Sequence, residues 1–258
     1  MSALGRMWRI VRTGSAFALF GASGAILGLG VLPIVQHTAP DRETGELRAQ
    51  RWVHEFFRFF VGYMRGVRIL DVEVRAAERL REAGGRVVVA NHPTLLDVVL
   101  LGALMPQLDC VVKRAAWSNP FMRGVVKAAG YVPNDLGEDL IDACARNLLR
   151  GRDLLLFPEG TRSPEGGLRR FQRGAAHVAL RARRPILPVF IDCDPPSLMR
   201  DQRWYEVPDR RLRFTIEVGE ALDPELMLEG GEPRGAAARR VTAALRDFYE
   251  KRLQTLGS

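Results

Sequence analysis

Six short runs of apolar, largely β-branched residues mark the chain after its first quarter, at 69–74, 86–90, 108–113, 154–157, 186–191 and 212–218. Such runs, bounded by turn formers, predict strands. Between them, 95–104, 138–149 and 172–183 read as helices, and in the second Leu140, Ile141, Cys144 and Leu148 fall on one face. Strands alternating with helices predict an α/β sheet. The stretch 233–256 places Val241, Leu245, Phe248 and Leu253 near helical spacing with arginines opposite, predicting an amphipathic helix packed on that sheet. The turn-rich stretch 192–211 predicts a mobile loop.

The beginning of the chain has a different rhythm. From Thr13 to Gln36 no side chain is charged. About 20 helical residues span the hydrocarbon core of a bilayer, but five glycines and Pro33 interrupt this stretch and weaken it as one rigid rod. Arg6, Arg9 and Arg12 precede it, as before an anchor or a signal peptide, yet the run is long for a signal core and no small-residue cleavage site follows. A second segment, 51–64, mixes aromatics with Arg51, Glu55 and Arg58, which suits an interfacial helix. Together they predict a shallow membrane-associated helical hairpin within 1–66, attached at the cytoplasmic face of the inner membrane, ahead of an α/β domain over 67–258. The competing expectation is a pair of ordinary core helices in a soluble protein.

Composition narrows the partners. The chain has 258 residues, 47% hydrophobic and 26% charged, which fits a globule and excludes a disordered or polytopic chain. Its net charge of +8 favours an anionic partner. The basic residues are dispersed, with no zinc-finger spacing, RNP-like aromatic pattern or lysine tract, so anionic lipid is the better reading and nucleic acid is not expected. Cys110, Cys144 and Cys193 are isolated, which argues against a disulfide framework or structural zinc and fits a reducing compartment. The four histidines show no ligand spacing, so no metal is expected, and His37, His54 and His177 read as structural or surface residues.

The chemistry is concentrated at two predicted strand ends. After 86–91 comes His92-Pro-Thr-Leu-Leu-Asp97, with Pro93 suited to the first turn of a helix. Ligands gather at such ends in α/β sheets. An aspartate early in that helix can reach back to one imidazole nitrogen and leave the other to take a proton. That is the general-base half of a catalytic triad, with no serine or cysteine nucleophile nearby in sequence, so the substrate must supply the nucleophile. An alcohol deprotonated by His92 and attacking a thioester meets the requirement, and the helix start beside His92 is a candidate oxyanion site. The second turn is Phe157-Pro-Glu-Gly-Thr-Arg-Ser163. There Gly160 permits close backbone approach, Arg162 offers a forked donor suited to phosphate, and Glu159 can orient Arg162 or a substrate hydroxyl.

These motifs resemble the glycerophospholipid acyltransferase family that includes 1-acylglycerol-3-phosphate acyltransferases. Asn91-His92 with Asp97 is similar to its first block. Lys113 onward, through Asn119-Pro120-Phe121, Gly124 and Gly130 to Asp135, is similar to its second. Phe157 to Arg162 matches its third, and Pro185 to Val189 resembles its fourth. The resemblance implies a glycerol-3-phosphate acyltransferase-like mixed sheet flanked by helices. It implies catalysis by His92 and Asp97, binding of the acceptor's polar head by Lys113, Asn134, Glu159, Gly160, Thr161 and Arg162, and an acyl-donor region around Pro188. The co-substrate would be acyl-CoA or acyl-ACP, with no other cofactor. In two places the chain departs from the family pattern: Asn134 stands where an arginine is usual, and Pro93-Thr94 where a small residue and serine are typical. An amide cannot replace a guanidinium on phosphate, so the acceptor stays open between a lysophosphatidic acid and another lysolipid, a glycolipid or a hydroxylated lipid. A hydrolase in which His92 activates water and a non-catalytic membrane scaffold are the rival readings.

Overall fold

In β2 (Val87–Ala90) every side chain is buried, as a central parallel strand covered on both faces requires. Val88 and Ala90 point into one apolar core and Val87 and Val89 into the other, the period of two that a pleated strand imposes. The computed structural model describes residues 3–81, 84–120, 122–137, 139–228 and 233–256. Around β2 lie β1 (Leu70–Arg75), β3 (Leu108–Val112), β4 (Val132–Pro133), β5 (Asp153–Leu156), β6 (Ile186–Asp194) and β7 (Leu212–Val218). They form one seven-stranded sheet in the order β1-β7-β6-β2-β5-β3-β4. All pairs are parallel except β6 with β7. The carboxyl ends of β2, β5, β3 and β4 therefore lie along one edge of the sheet.

One face of the sheet is covered by α1 (Ala3–Ile26), α3 (Arg42–Gly66) and α5 (Asp97–Leu104), the other by α8 (Asp139–Leu149), α9 (Gly174–Ala182) and α10 (Arg234–Leu256). Helix α5 is apolar nearly all round, as a helix wedged between a sheet and another helix must be. It packs so tightly on α3 that a Cβ at Gly102 would collide with the Phe57 ring, while His54 Nδ1 bonds the Gly102 carbonyl at 2.8 Å.

The expected strands and helices are present with shifted ends. Strand β6 runs on to Asp194 because its antiparallel register with β7 continues to the Asp194–Arg213 pair. The predicted loop 192–211 is thereby shortened to the stretch after β6, and it is tied down at Leu198, as described below. Strand β4 was not foreseen: two residues give no alternation to read. Glu138, at the start of a predicted helix, and Phe121 lie outside the described residues.

The chain is helical from Leu4 to His37, with a π-helical turn at Leu27–Val31 leading into α2 (Leu32–His37). The glycines there bring the helix close to its neighbour, for a Cβ at Gly124, in α7 (Arg123–Ala128), would overlap the Gly28 carbonyl. Asp41 caps α3 by accepting from the Thr44 amide at 2.8 Å. Leu4, Met7, Trp8, Val11, Ile26, Leu29 and Ile34 are exposed, as are Trp52 and Phe59 of α3. The expectation of two ordinary core helices therefore fails, because a core helix does not leave a row of large apolar side chains in water. The run is long and apolar enough to cross a membrane by length and composition. Its inner side nonetheless joins the main core, since Ala16, Phe60 and Met64 pack in the same cluster as Val88, Ile191 and Phe214.

A buried ionic cluster ties α3 to the sheet. Arg152, just before β5, donates to Glu46 of α3 at 2.8 Å and lies 4.0 Å from Asp109 of β3. Gln50 donates to Asp109 at 2.6 Å and to the Ala129 carbonyl at 3.0 Å. Burial pushes the Asp109 carboxyl up to about 7 against the pull of Arg152 and Gln50. Its folded pKa lies above the unfolded one, so between about 4 and 7 the native state holds more protons and stability falls as pH rises. Asp109→Asn is expected to stabilise the protein about 2 kcal/mol more at pH 8 than near pH 5.5. Thermal melts at the two pH values check this, and an equal effect at both would show that the carboxyl does not titrate in that window.

Candidate active site

His92 leaves the end of β2, and its ring is fixed from two sides. Nδ1 bonds Asp97 Oδ2 at 2.7 Å, and the imidazole stacks on Phe157 with ring centroids 4.1 Å apart. Asp97 is fully buried. Burial pushes its carboxyl above the usual range, and the bonds from His92 and Thr94 act in the opposite direction. The Thr94 amide donates to Asp97 Oδ2 at 2.8 Å, the Thr94 hydroxyl to Oδ1 at 2.6 Å, and the Leu96 amide to the Thr94 hydroxyl at 3.1 Å. These bonds fold the 94–97 turn around the carboxylate just ahead of α5, whose N-cap residue, Leu96, makes no side-chain cap of its own. The same carboxylate thus starts α5 and aims His92, leaving Nε2 to accept a proton.

The two strand-end turns are cross-linked by their backbones. Glu159 Oε1 accepts from the His92 amide at 3.2 Å and from the Ser163 hydroxyl at 2.5 Å, and Oε2 from the Arg169 amide at 2.8 Å. The Ser163 amide returns to the His92 carbonyl at 2.7 Å. Both polar atoms of the His92 backbone are therefore held by the 159–163 turn. Asn91 adds a clamp on the other side, bonding the Ile191 carbonyl at 2.8 Å and the Ile191 amide at 2.7 Å across the β2–β6 pair. A cleft of about 130 Å³ opens here, lined in part by Pro93, Thr94, Ser163, Ile191 and Ser197.

The structure revises several expected roles. Glu159 is buried and engages backbone and Ser163 rather than Arg162. Arg162 donates to the carbonyls of Leu198 and Met199 at 2.9 and 2.8 Å, so its fork grips the loop after β6. The start of α5 does not offer free amides at 94–96: those of Thr94 and Leu96 donate to Asp97 and to the Thr94 hydroxyl, and that of Leu95 donates to the Leu198 carbonyl at 3.1 Å. Gly160 is exposed with φ +69°, where only glycine is unstrained, and Thr161 beside it is half-buried. Lys113 stands exposed at the end of β3. Asn134, after β4, accepts from the Arg114 amide at 3.1 Å, so its side chain ties two loops together. Pro188 is buried in mid-β6 opposite Val89 and accepts from the Gly219 amide at 2.8 Å. It has no open surface to offer an acyl donor.

The site therefore gathers His92, Asp97, Glu159, Gly160, Thr161 and Arg162, places Lys113 and Asn134 farther along the same sheet edge, and leaves Pro188 inside the sheet. Sequence reasoning passed over Thr94 and Ser163. The Thr94-x-x-Asp97 spacing was a readable signal for the first, whereas nothing in the sequence joined Ser163 to His92.

The family model described as Acyltransferase matches residues 71–192, which contain both turns. A putative 1-acyl-sn-glycerol-3-phosphate acyltransferase of Caenorhabditis elegans is 35% identical over 153 residues, 55% of this chain and 50% of that protein. The 1-acyl-sn-glycerol-3-phosphate acyltransferase of Pseudomonas aeruginosa is 26% identical over 239 residues, 88% of this chain and 85% of that protein. Over residues 71–192 the chain carries an acyltransferase domain similar to those of the glycerophospholipid acyltransferases. It spans about half the length of the first curated relatives it matches. The crystal structure of the 1-acyl-sn-glycerophosphate (LPA) acyltransferase PlsC from Thermotoga maritima shares the fold, with a TM-score of 0.69 at 20% identity over 93% of this chain and 97% of that one. Within the acyltransferase family frame, the second block acquires a structural meaning here. Gly124 admits the N-terminal helix, and Gly130, at φ +69°, packs against the Glu46 carboxylate.

Proposed function

We propose that this chain is an O-acyltransferase that moves a fatty acyl group from acyl-CoA or acyl-ACP to a hydroxyl of a lysophospholipid such as 1-acylglycerol-3-phosphate. The observation that carries the reading is the His92–Asp97 pair at 2.7 Å, with no serine or cysteine side chain bonded to the imidazole among the described residues. Ser163, the hydroxyl nearest in bonding, serves Glu159 and the His92 backbone instead. The nucleophile then comes from the acceptor. His92 Nε2 takes the proton of the acceptor hydroxyl, the oxygen attacks the thioester carbonyl, the C–S bond breaks, and the imidazolium returns the proton to the departing thiolate. The names of the relatives support the same acceptor class.

For the acceptor's polar head we assign the sheet edge that carries Lys113 and the turn at exposed Gly160 and half-buried Thr161, with Arg162 holding the loop after β6 beside it. Asn134 at the arginine position keeps glycolipid and hydroxylated-lipid acceptors in the test. The assay is transfer of a labelled acyl group from acyl-CoA and from acyl-ACP to a panel of lysolipids. Acceptor-dependent ester formation names the substrate, whereas thioester loss at the same rate without acceptor would identify a hydrolase.

We further propose monotopic attachment at the cytoplasmic face of the inner membrane through the exposed apolar side of 4–37. Leu4, Trp8 and Val11 lie one helical turn apart on that side, and each large side chain inserted in lipid contributes about 1.5–3 kcal/mol. Replacing all three with glutamate is expected to lower partition into anionic liposomes by more than tenfold. Unchanged co-sedimentation would remove this surface from the membrane contact.

A further inference from the structure

A pocket of about 310 Å³ lies between α1 and the loop after β6, at the starts of β1 and β7. Because β7 runs parallel to β1 and antiparallel to β6, those starts lie at the edge of the sheet where β6 and β2 end, which is the His92 edge. Five arginines line the pocket, and three of them are matched. Arg9 lies 3.6 Å from Asp209, Arg210 2.6 Å from Asp194, and Arg211 2.6 Å from Asp71. Arg12 and Arg68 are the surplus, for neither is in an ion pair among the described residues. Arg12 is aimed by a bond to the Val67 carbonyl at 3.2 Å and by its place over the Trp8 ring, 5.1 Å from the centroid. Arg68 is exposed and follows the end of α3 at φ +59°, a left-handed position where glycine is usual.

Two surplus guanidinia beside Trp8, Ile69, Trp204 and Leu212 suit a phosphate carried on an apolar body. The α1 wall says what that body is. Gly5, Trp8, Arg9 and Arg12 line the pocket at helical spacing, and Leu4, Trp8 and Val11 form the outward side assigned above to lipid, so Trp8 belongs to both. The pocket therefore adjoins the membrane surface. Trp204, half-exposed, packs on Phe17 of α1 with ring centroids 6.0 Å apart, as an aromatic anchor at the lipid–water boundary does. The volume is at the small end of ligand sites, roughly 300–1,000 Å³, enough for a headgroup whose chains stay in the bilayer along α1. We propose that this pocket binds the headgroup of an intact anionic bilayer phospholipid, with Arg12 and Arg68 on the phosphate oxygens.

This lipid is a ligand and not the acyl acceptor. Ser197 and Leu198 line the pocket, while Ser197 and Met199 line the cleft beside Pro93 and Thr94, so one stretch of main chain is the wall between the two. In a lysophosphatidic acid the reactive hydroxyl stands on the carbon next to the one bearing phosphate. A lipid whose phosphate is on the arginine side of that wall cannot present such a hydroxyl to His92. The wall itself is held from the catalytic side, where the Leu198 carbonyl accepts from the Leu95 amide at 3.1 Å and from Arg162 at 2.9 Å. Leu198 is, like Arg68, left-handed without being glycine, at φ +55°, and such strain gathers at ligand clamps. The assignment rests on the membrane contact proposed for α1 and is independent of acyl transfer.

The test titrates the full chain in detergent micelles with phosphatidylglycerol and with phosphatidylcholine, and native mass spectrometry counts the lipid retained. Wild type is expected to hold one phosphatidylglycerol at least tenfold more tightly than phosphatidylcholine, whose choline cancels the phosphate charge. Arg12→Gln/Arg68→Gly should weaken that binding at least tenfold. Arg51→Gln, which removes an exposed cation of α3 outside the pocket, should leave it within twofold. Arg68→Gly alone removes one cation and relieves the left-handed backbone, so it should weaken binding several fold while raising the thermal midpoint, a pairing that misfolding cannot produce. Equal retention of the two lipids, unchanged affinity in the pocket variants, or an equal loss in Arg51→Gln would each overturn the site. Displacement by equimolar inorganic phosphate would make the ligand a free anion, and a tenfold rise in acceptor KM in Arg68→Gly would make it the acceptor; either overturns the proposal. Pocket-dependent binding in micelles by a chain that does not sediment with liposomes would overturn the membrane contact and leave the pocket in place.

Discussion

His92→Ala is expected to lower acyl transfer by at least a hundredfold and to leave the fold intact. Positioned general-base catalysis contributes about 10² to 10⁴ in rate, and this imidazole is positioned by a bond to a buried carboxylate and by stacking on Phe157. The side chain is partly exposed and lies over the sheet edge rather than within the core, so its loss leaves no large cavity. The contacts that join the two turns run through the His92 backbone, which alanine keeps. Turnover of the purified variant, measured beside its thermal midpoint, separates the two effects. Near-normal turnover in a folded variant would dismiss His92 as the base.

Arg152→Ala should have the opposite profile, a large loss of stability from a residue remote from the chemistry. Arg152 is 1% exposed and stands between Glu46 and Asp109, themselves 7% and 0% exposed. Removing one member of a buried ion pair costs about 3–5 kcal/mol, because the remaining charge is left uncompensated. In a chain of this size that is roughly 10 °C in the thermal midpoint. The sign with pH follows from linkage. Without the guanidinium the Asp109 carboxyl, already raised by burial, holds its proton to higher pH in the folded state, so the deficit grows from pH 6 to pH 8. Adding Asp109→Asn to Arg152→Ala should restore part of the loss, and denaturant melts of the single and double variants measure the coupling. A single variant within 1 kcal/mol of wild type would mean that the cluster does not join α3 to the sheet.

What could be read from the sequence was whatever repeats with a short period. The buried strands announce themselves because a run such as Val87-Val88-Val89-Ala90 fits nothing else so well, and β7 because Leu212, Phe214, Ile216 and Val218 alternate with polar residues. His92 and Asp97 could be paired because both fall within one strand-to-helix turn. Long-range partnerships had no such signature. Glu159 lies 67 residues from His92, and sequence chemistry alone paired it with Arg162, its neighbour in the chain. The fork of Arg162 matches phosphate as well as it matches two carbonyls, and only the path of the loop after β6 decided between them. Pro188 was misplaced for a related reason: a proline in an apolar run says where a ladder bond is missing, not which surface it faces.

The way Ala16, Phe60 and Met64 interlock with the sheet has a practical corollary for anyone wishing to purify this protein without detergent. Cutting the chain after residue 66 would not release a water-soluble fragment. It would strip the cover from Leu101, Ile191 and Phe214 and yield an aggregating remnant. A soluble version has to be made by repainting the outward side chains of the helices with polar ones while keeping every residue of the hairpin that faces inward.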